Sequence, residues 1–327
     1  MQDVCLFAHF DKDGKVDEHV LQYLEKIKDL NFSIVFISAA PLLQPDIERL
    51  CSHCSDVILR ENKGLDFGSW AAGFEKHGSA INGRLMLVND SVYGPVGNLA
   101  TALARVTKCP ADFYGFVESD DIVPHLQSWF LLFESRIVRN EEFRAILAQP
   151  FAEMTKKQII ENGEIGLTRR LVAAGFRYHA LYRIDLAGFA VHRRNVNPMH
   201  LFWHELLFDE GVPFLKVELL RDNPIGVEDA KTILQAVEPI DPSLCGLMKL
   251  HLTRTTAKNS LNRPHDVALA RWVKGLWYGL LRKGYRLKRE NRRAAGAWNF
   301  IKLEILAVVL RVWRVFKSLR DSRSGRE

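Results

Sequence analysis

Four short apolar runs separated by helix-patterned segments constrain this chain more than any other feature. Val4–Phe10, Phe32–Ile37, Asp56–Leu59 and Arg84–Val88 read as strands. Between them, 16–30 repeats Val20, Leu21, Leu24 and Ile27 on one helical face, 46–51 is a short helix, and 67–76 is a helix behind Gly64 and Gly68. The βαβαβαβ order predicts a parallel sheet with right-handed crossovers and helices on both faces. Ligands of such sheets bind beyond the carboxyl ends of the strands. The pattern then becomes mixed. Residues 98–106 read as a helix, 113–117 as a strand, 126–138 as a helix with an aromatic-rich face, and 198–210 as a helix with Pro198 in its first turn. A further helix across 165–172, with Ile165, Leu167, Leu171 and Val172 at near-helical spacing, stops at Gly175 before a short strand.

Charge divides the chain. From Arg271 to the end there are sixteen Lys/Arg against four Asp/Glu, while the remainder carries 29 basic and 35 acidic residues. We expect a catalytic domain over 1–263 and a separate basic, aromatic-rich helical extension over 264–327. No uncharged apolar run in the extension reaches the roughly 18–20 residues of a membrane span. Its tryptophans and basic residues suit helices lying on an anionic membrane face through 265–320, or a helical cap packed on the domain. No nucleic-acid recognition motif is present. Five cysteines in no regular framework suit a reducing compartment. Cys51-Ser-His-Cys54 has metal-like spacing but no second pair follows it. The N-terminus opens directly into a strand-like run, so no secretory signal is expected.

Three constellations could carry chemistry. Asn89-Asp90-Ser91 leaves the sheet where a diphosphate would need a divalent cation on carboxylate oxygens, although Asn and Asp also favour turns after strands. In Glu61–Trp70, Gly64 and Gly68 permit close approach to a ligand, and the amides around Ser69 open a helix towards an anion. Asp66 there is either a ribose or base ligand or a helix cap. Glu164 stands in or just before the first turn of its helix, where the dipole favours a carboxylate, and it is a candidate general base. Glu118, Asp120 and Asp121 are rivals for that role, and His125 is either a catalytic group or a cap.

The blocks LFAHFDKDG (6–14), ENKGLDFGSW (61–70), LVNDSVYGP (87–95), HLQSWFLLF (125–133), EIGLTRRL (164–171) and NPMHLFWHELL…GVPFLKVELLRDNP (197–224) resemble, in this order, the rhamnan synthesis protein F family. Those are bacterial glycosyltransferases of cell-surface polysaccharide assembly. Parts also resemble family 2 glycosyltransferases of the GT-A fold. Asn62 and Gly64 match their Asn-x-Gly segment, Asn89-Asp90-Ser91 their acidic diphosphate and metal motif, and Glu164 with Leu167 and Arg170 their base helix.

The resemblance implies a GT-A-like, Rossmann-like α/β fold and an inverting transfer of L-rhamnose from dTDP-rhamnose onto a lipid-linked glycan such as O-antigen or rhamnan. It implies Glu164 as general base, while His125 and Asp120 stay further catalytic candidates from the residues themselves. Asn62, Gly64, Asp66, Gly68, Ser69, Asn89, Asp90 and Ser91 would bind the donor, and Asp90 would hold Mg²⁺ or Mn²⁺. His200, Trp203, Glu205 and Arg221 are second-tier candidates for acceptor or phosphate contacts. Asn-Asp-Ser departs from Asp-x-Asp, which leaves the number of metal ligands open. The expected location is the cytoplasmic face of the bacterial inner membrane.

Overall fold

A computed structural model describes residues 2–120, 122–183, 197–224 and 228–256. These residues fall within one compact unit, Met1–Asp185, His192–Pro224 and Glu228–Asn262. Asp121 and the basic extension, with its expected membrane-facing segment 265–320, lie outside the described residues.

Strands β1 (Val4–His9), β2 (Ser33–Ser38), β3 (Asp56–Leu59) and β4 (Leu85–Asn89) pair in parallel in the order β3-β2-β1-β4. Helices α1 (Glu18–Lys28), α2 (Gln44–Cys51) and α3 (Leu65–His77) connect them. Every residue of β1 is buried, as a strand covered on both faces requires. Its Val4, Leu6 and Ala8 join a core with Phe67 and Trp70 of α3. Phe7 on the opposite face packs edge-on against Tyr23 of α1 at 5.5 Å. Helices therefore cover both sides, and the fold is α/β with a mostly parallel, mixed sheet.

The sheet continues after the short β5 (Val92–Tyr93) and α4 (Leu99–Val106), whose N-terminus Asn98 caps through the Thr101 amide at 2.9 Å. Here the structure corrects the helix expected over 126–138. That stretch contains β7 (His125–Leu126), β8 (Phe130–Phe133) and only one helical turn, α5 (Ser135–Val138). Strand β8 inserts between β4 and β6 (Phe113–Ser119), antiparallel to both. Phe130-Leu-Leu-Phe133 is at most 1% exposed. An apolar run buried on two faces carries no period, and the spacing of Leu126, Phe130, Phe133 and Ile137 imitates a helix by coincidence.

Beyond α6 (Glu141–Leu147), a capping box at Thr155 opens α7 (Lys156–Ile159), which runs through a π-turn at Ile160–Glu164 into α8 (Ile165–Ala173). Glu164 therefore sits inside a long helical stretch rather than in its first turn, and the helix-dipole argument for it fails. Gly175, with φ at +88°, ends the stretch as expected. Strand β9 (Tyr178–Arg183) pairs parallel to β6.

The helix expected over 198–210 is broken into α9 (Pro198–Leu201) and a π-turn at Glu205–Asp209. Strand β10 (Leu215–Lys216) pairs with β5, and α10 (Val217–Arg221), α11 (Ala230–Val237) and α12 (Pro242–Thr256) close a second, smaller core around Trp203, Leu220, Ile233 and Met248.

Candidate functional site

The carboxyl end of β4 brings the first side chains together. Asn89, 2% exposed, donates its Nδ2 to Asp66 Oδ2 at 2.7 Å, and its Oδ1 accepts from the Ser91 amide at 3.1 Å and the Ser91 hydroxyl at 2.6 Å. One residue thus makes the turn expected of Asn and also ties β4 to the start of α3. Asp90 has its own partners. Its Oδ2 accepts from the Phe10 amide at 3.0 Å and stands 3.7 Å from His9 Nε2. Burial lowers His9 to about 4, so it faces Asp90 as a neutral ring near pH 7.

Both aspartates are pushed upward. Burial raises Asp90 to about 8, with the nearby charges of Asp66 and Asp11 adding to the shift. Burial raises Asp66 to about 6, and Glu164 adds to this while Lys216 and the Asn89 hydrogen bond oppose it. Two carboxylates in one desolvated place favour their neutral forms unless positive charge arrives.

Glu164 approaches from the π-turn. Its Oε1 accepts from the Ser128 amide at 3.3 Å and lies 3.8 Å from His125 Nε2. The other ring nitrogen of His125, Nδ1, is 2.8 Å from the Val123 carbonyl oxygen, which assigns it the proton and leaves Nε2 towards Glu164. The His125 side chain of β7 and the Ser128 amide of the β7–β8 turn thus meet the carboxylate that the helical bulge presents. π-turns within helices frequently mark functional sites.

Lys216 completes the group and was missed in the sequence reading. Its Nζ donates to Ser91 Oγ at 3.1 Å and lies 6.0 Å from the centre of the Trp129 ring. Burial lowers its pKa, opposed by the charges of Glu164, Asp66 and Glu218. The signal was present: in Pro213-Phe-Leu-Lys-Val217, one cation interrupts an apolar strand.

Other expected residues take different places. Gly64 has φ at +79°, and a Cβ there would lie 2.9 Å from the Phe151 carbonyl carbon. A Cβ on Gly68 would meet the Lys63 carbonyl oxygen at 2.5 Å, and Ser69 is buried, accepting from Arg60 at 3.2 Å. These three residues pack the start of α3 closely, and Asn62 is exposed beside it. Glu118 pairs with Arg183 at 3.1 Å, while Asp120 follows the end of β6. His200 lies 3.7 Å from Glu218, Trp203 donates to Glu228, Glu205 is buried in its π-turn, and Arg221 binds Asp222 at 2.8 Å.

Among the described residues no group of three or more His, Cys, Asp and Glu could hold a metal. Mg²⁺ commonly takes only one or two carboxylates and completes its shell with phosphate oxygens and water. Asp90, raised by burial with the charge of Asp66 adding to it, and Asp66, raised by burial with the charge of Glu164 adding to it, fit that modest requirement.

The profile of the rhamnan synthesis protein F family matches residues 34–257. Virulence protein VirA of Vibrio anguillarum is 31% identical over 255 residues, spanning 68% of this chain and 81% of VirA. The uncharacterised protein y4gN of Sinorhizobium fredii is 29% identical over 206 residues, 60% of this chain and 54% of its own. Among solved structures, residues 1–349 of TarS from S. aureus superpose with a TM-score of 0.37 at 10% identity, covering 96% of this chain and 91% of that one. A likeness that distant carries no argument. Asp66, Asn89, Asp90, Glu164 and Lys216 all lie inside the span matched by the family profile, and the chain belongs to the rhamnan synthesis protein F family.

Proposed function

We propose that this nucleotide-diphospho-sugar glycosyltransferase of the rhamnan synthesis type transfers L-rhamnose from dTDP-rhamnose to a growing surface glycan, with inversion at the anomeric carbon. The observation that carries the proposal is the convergence of acids beyond the carboxyl end of β4, where the charge of Glu164 acts on Asp66 and that of Asp66 on Asp90. Inversion needs a single carboxylate to accept the acceptor hydroxyl proton on the face opposite the departing nucleotide. Glu164 is held for this by the Ser128 amide, and His125 flanks it.

Asp90, with Asp66 beside it, would hold Mg²⁺ or Mn²⁺, which when bound neutralises diphosphate charge. Asn89 holds Asp66 in place through its amide. The acceptor is a lipid-linked glycan, and the basic extension over 264–327 keeps the enzyme at the anionic inner face of the cytoplasmic membrane. No helix among the described residues is long and apolar enough to cross a membrane.

The test is a panel of nucleotide sugars read by product formation and stereochemistry. With the donor found, Glu164→Gln is expected to lower turnover by about 10²–10⁴-fold while donor binding stays near wild type. Unchanged turnover would remove Glu164 from the base role, whereas no turnover with any donor, with glycan binding intact in Glu164→Gln, would point to a non-catalytic glycan-binding protein on a transferase scaffold. Turnover with a GDP- or UDP-linked sugar alone would replace the rhamnose donor. Activity that survives exhaustive EDTA, together with normal donor binding by Asp90→Ala, would remove Asp90 from metal binding.

A further inference from the structure

We infer that Lys216 is the cation that receives the nucleoside diphosphate as it departs from the sugar. The inference rests on the glycosyltransferase reading above and adds to it a group that neither the motifs nor the candidate base supplies.

Backbone geometry fixes this lysine at the site. Strand β10 is two residues long and pairs antiparallel with β5, Lys216 opposite Val92 and Leu215 opposite Tyr93. The Val217 amide donates to the Ser91 carbonyl oxygen at 3.0 Å. A chain segment more than a hundred residues downstream is thereby stitched to the turn that leaves β4. The ammonium then reaches Ser91 Oγ at 3.1 Å, with its stem beside the buried Trp129.

An ammonium carries three protons, and one of them is given to Ser91. Among the described residues no carboxylate lies within ion-pair distance of Lys216, although Asp66 and Glu164 stand near enough for their charges to act on it. A half-buried cation without a contacting anion is poorly compensated. Other cations near strand ends are engaged: Arg60 binds Ser69 and the Lys63 carbonyl, and Arg254 is held by three aspartates. Lys216, by contrast, combines proximity to the candidate base with open donor capacity.

In the transfer, the acceptor oxygen forms a bond to the anomeric carbon and its proton passes to Glu164. The bond from that carbon to the β-phosphate oxygen breaks, and its electron pair stays on the phosphate. The diphosphate gains one negative charge at that moment. A preplaced ammonium hydrogen-bonded to the new oxyanion stabilises this charge more than it stabilises the intact donor.

Binding measured by calorimetry to full-length protein tests the assignment, with dTDP, UDP and GDP compared against thymidine, uridine and guanosine. Lys216→Met, which keeps the apolar stem, is expected to weaken the preferred nucleoside diphosphate about 10- to 100-fold and to leave the matching nucleoside unchanged. Lys216→Arg is expected to recover most of that affinity. Equal loss of nucleoside and nucleoside diphosphate by Lys216→Met, or no loss of either, overturns the assignment. A melting temperature matching wild type excludes misfolding, and a Lys216→Arg variant as weak as Lys216→Met also counts against it. If the wild-type protein binds no nucleoside diphosphate, the glycosyltransferase reading fails first, and the Lys216 inference falls with it.

Discussion

Two groups of carboxylates gather around one cation each, and they behave oppositely. In the first, Arg254 of α12 meets Asp11 at 2.6 Å, Asp13 at 3.0 Å and Asp17 at 3.2 Å across the loop that follows β1. Burial works against charge on Arg254, but the hydrogen bonds to Asp11 and Asp17 outweigh it and raise its pKa. Asp11 is held below the ordinary range, because the Arg254 and backbone hydrogen bonds overcome its burial. In the second, Lys216 touches no carboxylate among the described residues, and Asp66 and Asp90 rise to about 6 and about 8. The first group is internally satisfied and ties α12 to the start of the sheet. The second has acid and cation in one place without mutual contact, the condition of a site awaiting a charged ligand.

Removing the clamp cation should give the largest effect on stability. Arg254→Met leaves three partly buried carboxylates facing one another, and about 3–5 kcal/mol of unfolding free energy should be lost in urea denaturation. A loss below about 1 kcal/mol would mean that this group is not a structural clamp, and the contrast with the Lys216 site would collapse.

The pH dependence should separate the groups next. A carboxylate with a folded pKa above its unfolded value binds more protons in the folded state, so its contribution is present at low pH and declines as pH rises through the folded value. Asp66 at about 6 and Asp90 at about 8 both act in this direction. His9, lowered to about 4 by burial, and His19 and His251, also lowered by burial, act oppositely, but most of their change lies below the ordinary histidine value of about 6.5 and only a small tail remains above it. In EDTA, stability should therefore fall by at most about 2 kcal/mol between pH 6.5 and 8. Asp90→Asn should flatten that decline. Asp11 has the reverse sign, because its contribution is present above its unfolded value and is lost as pH drops through the lowered folded one. Stability that rises between pH 6.5 and 8 would break the comparison.

The smallest effect is expected at Asp13. It shares Arg254 with two other carboxylates, so Asp13→Asn should cost under about 1 kcal/mol and leave sugar transfer unchanged. A larger loss would show that the clamp needs all three aspartates.

Legibility in the sequence followed the same division between local and distant causes. The elements of β1 to β4 with their helices could be read because each strand is a short apolar run bounded by turn residues and each helix carries its own period. Asn89, Asp90 and Asp66 could be read as a strand end and a helix start, and the structure joins Asn89 to Asp66 through one hydrogen bond. Strand β8 could not be read, since Phe130–Phe133 owes its extended state to β4 and β6 on either side. Glu164 was legible as a carboxylate beside an amphipathic helix, whereas the π-turn that presents it was not. Five helical residues with one additional residue in the turn leave no local signature in Ile-Glu-Asn-Gly-Glu. Gly64 and Gly68 were read for ligand approach, and the structure shows the backbone of Phe151 and Lys63 against them instead.

By itself the sequence determined the alternation of strands and helices, the acidic end of β4, and the charge contrast between a basic C-terminal stretch and the acidic remainder of the chain. Each of these depends on residues adjacent along the chain, through periodicity, turn chemistry or charge density. Tertiary structure alone decided that β8 is a strand, that Glu164 faces His125, and that Lys216 arrives beside Ser91 while Arg254 closes on Asp11. Those placements depend on which surfaces are buried against each other across long sequence separations, and burial is also what moves Asp66 and Asp90 out of the ordinary carboxylate range.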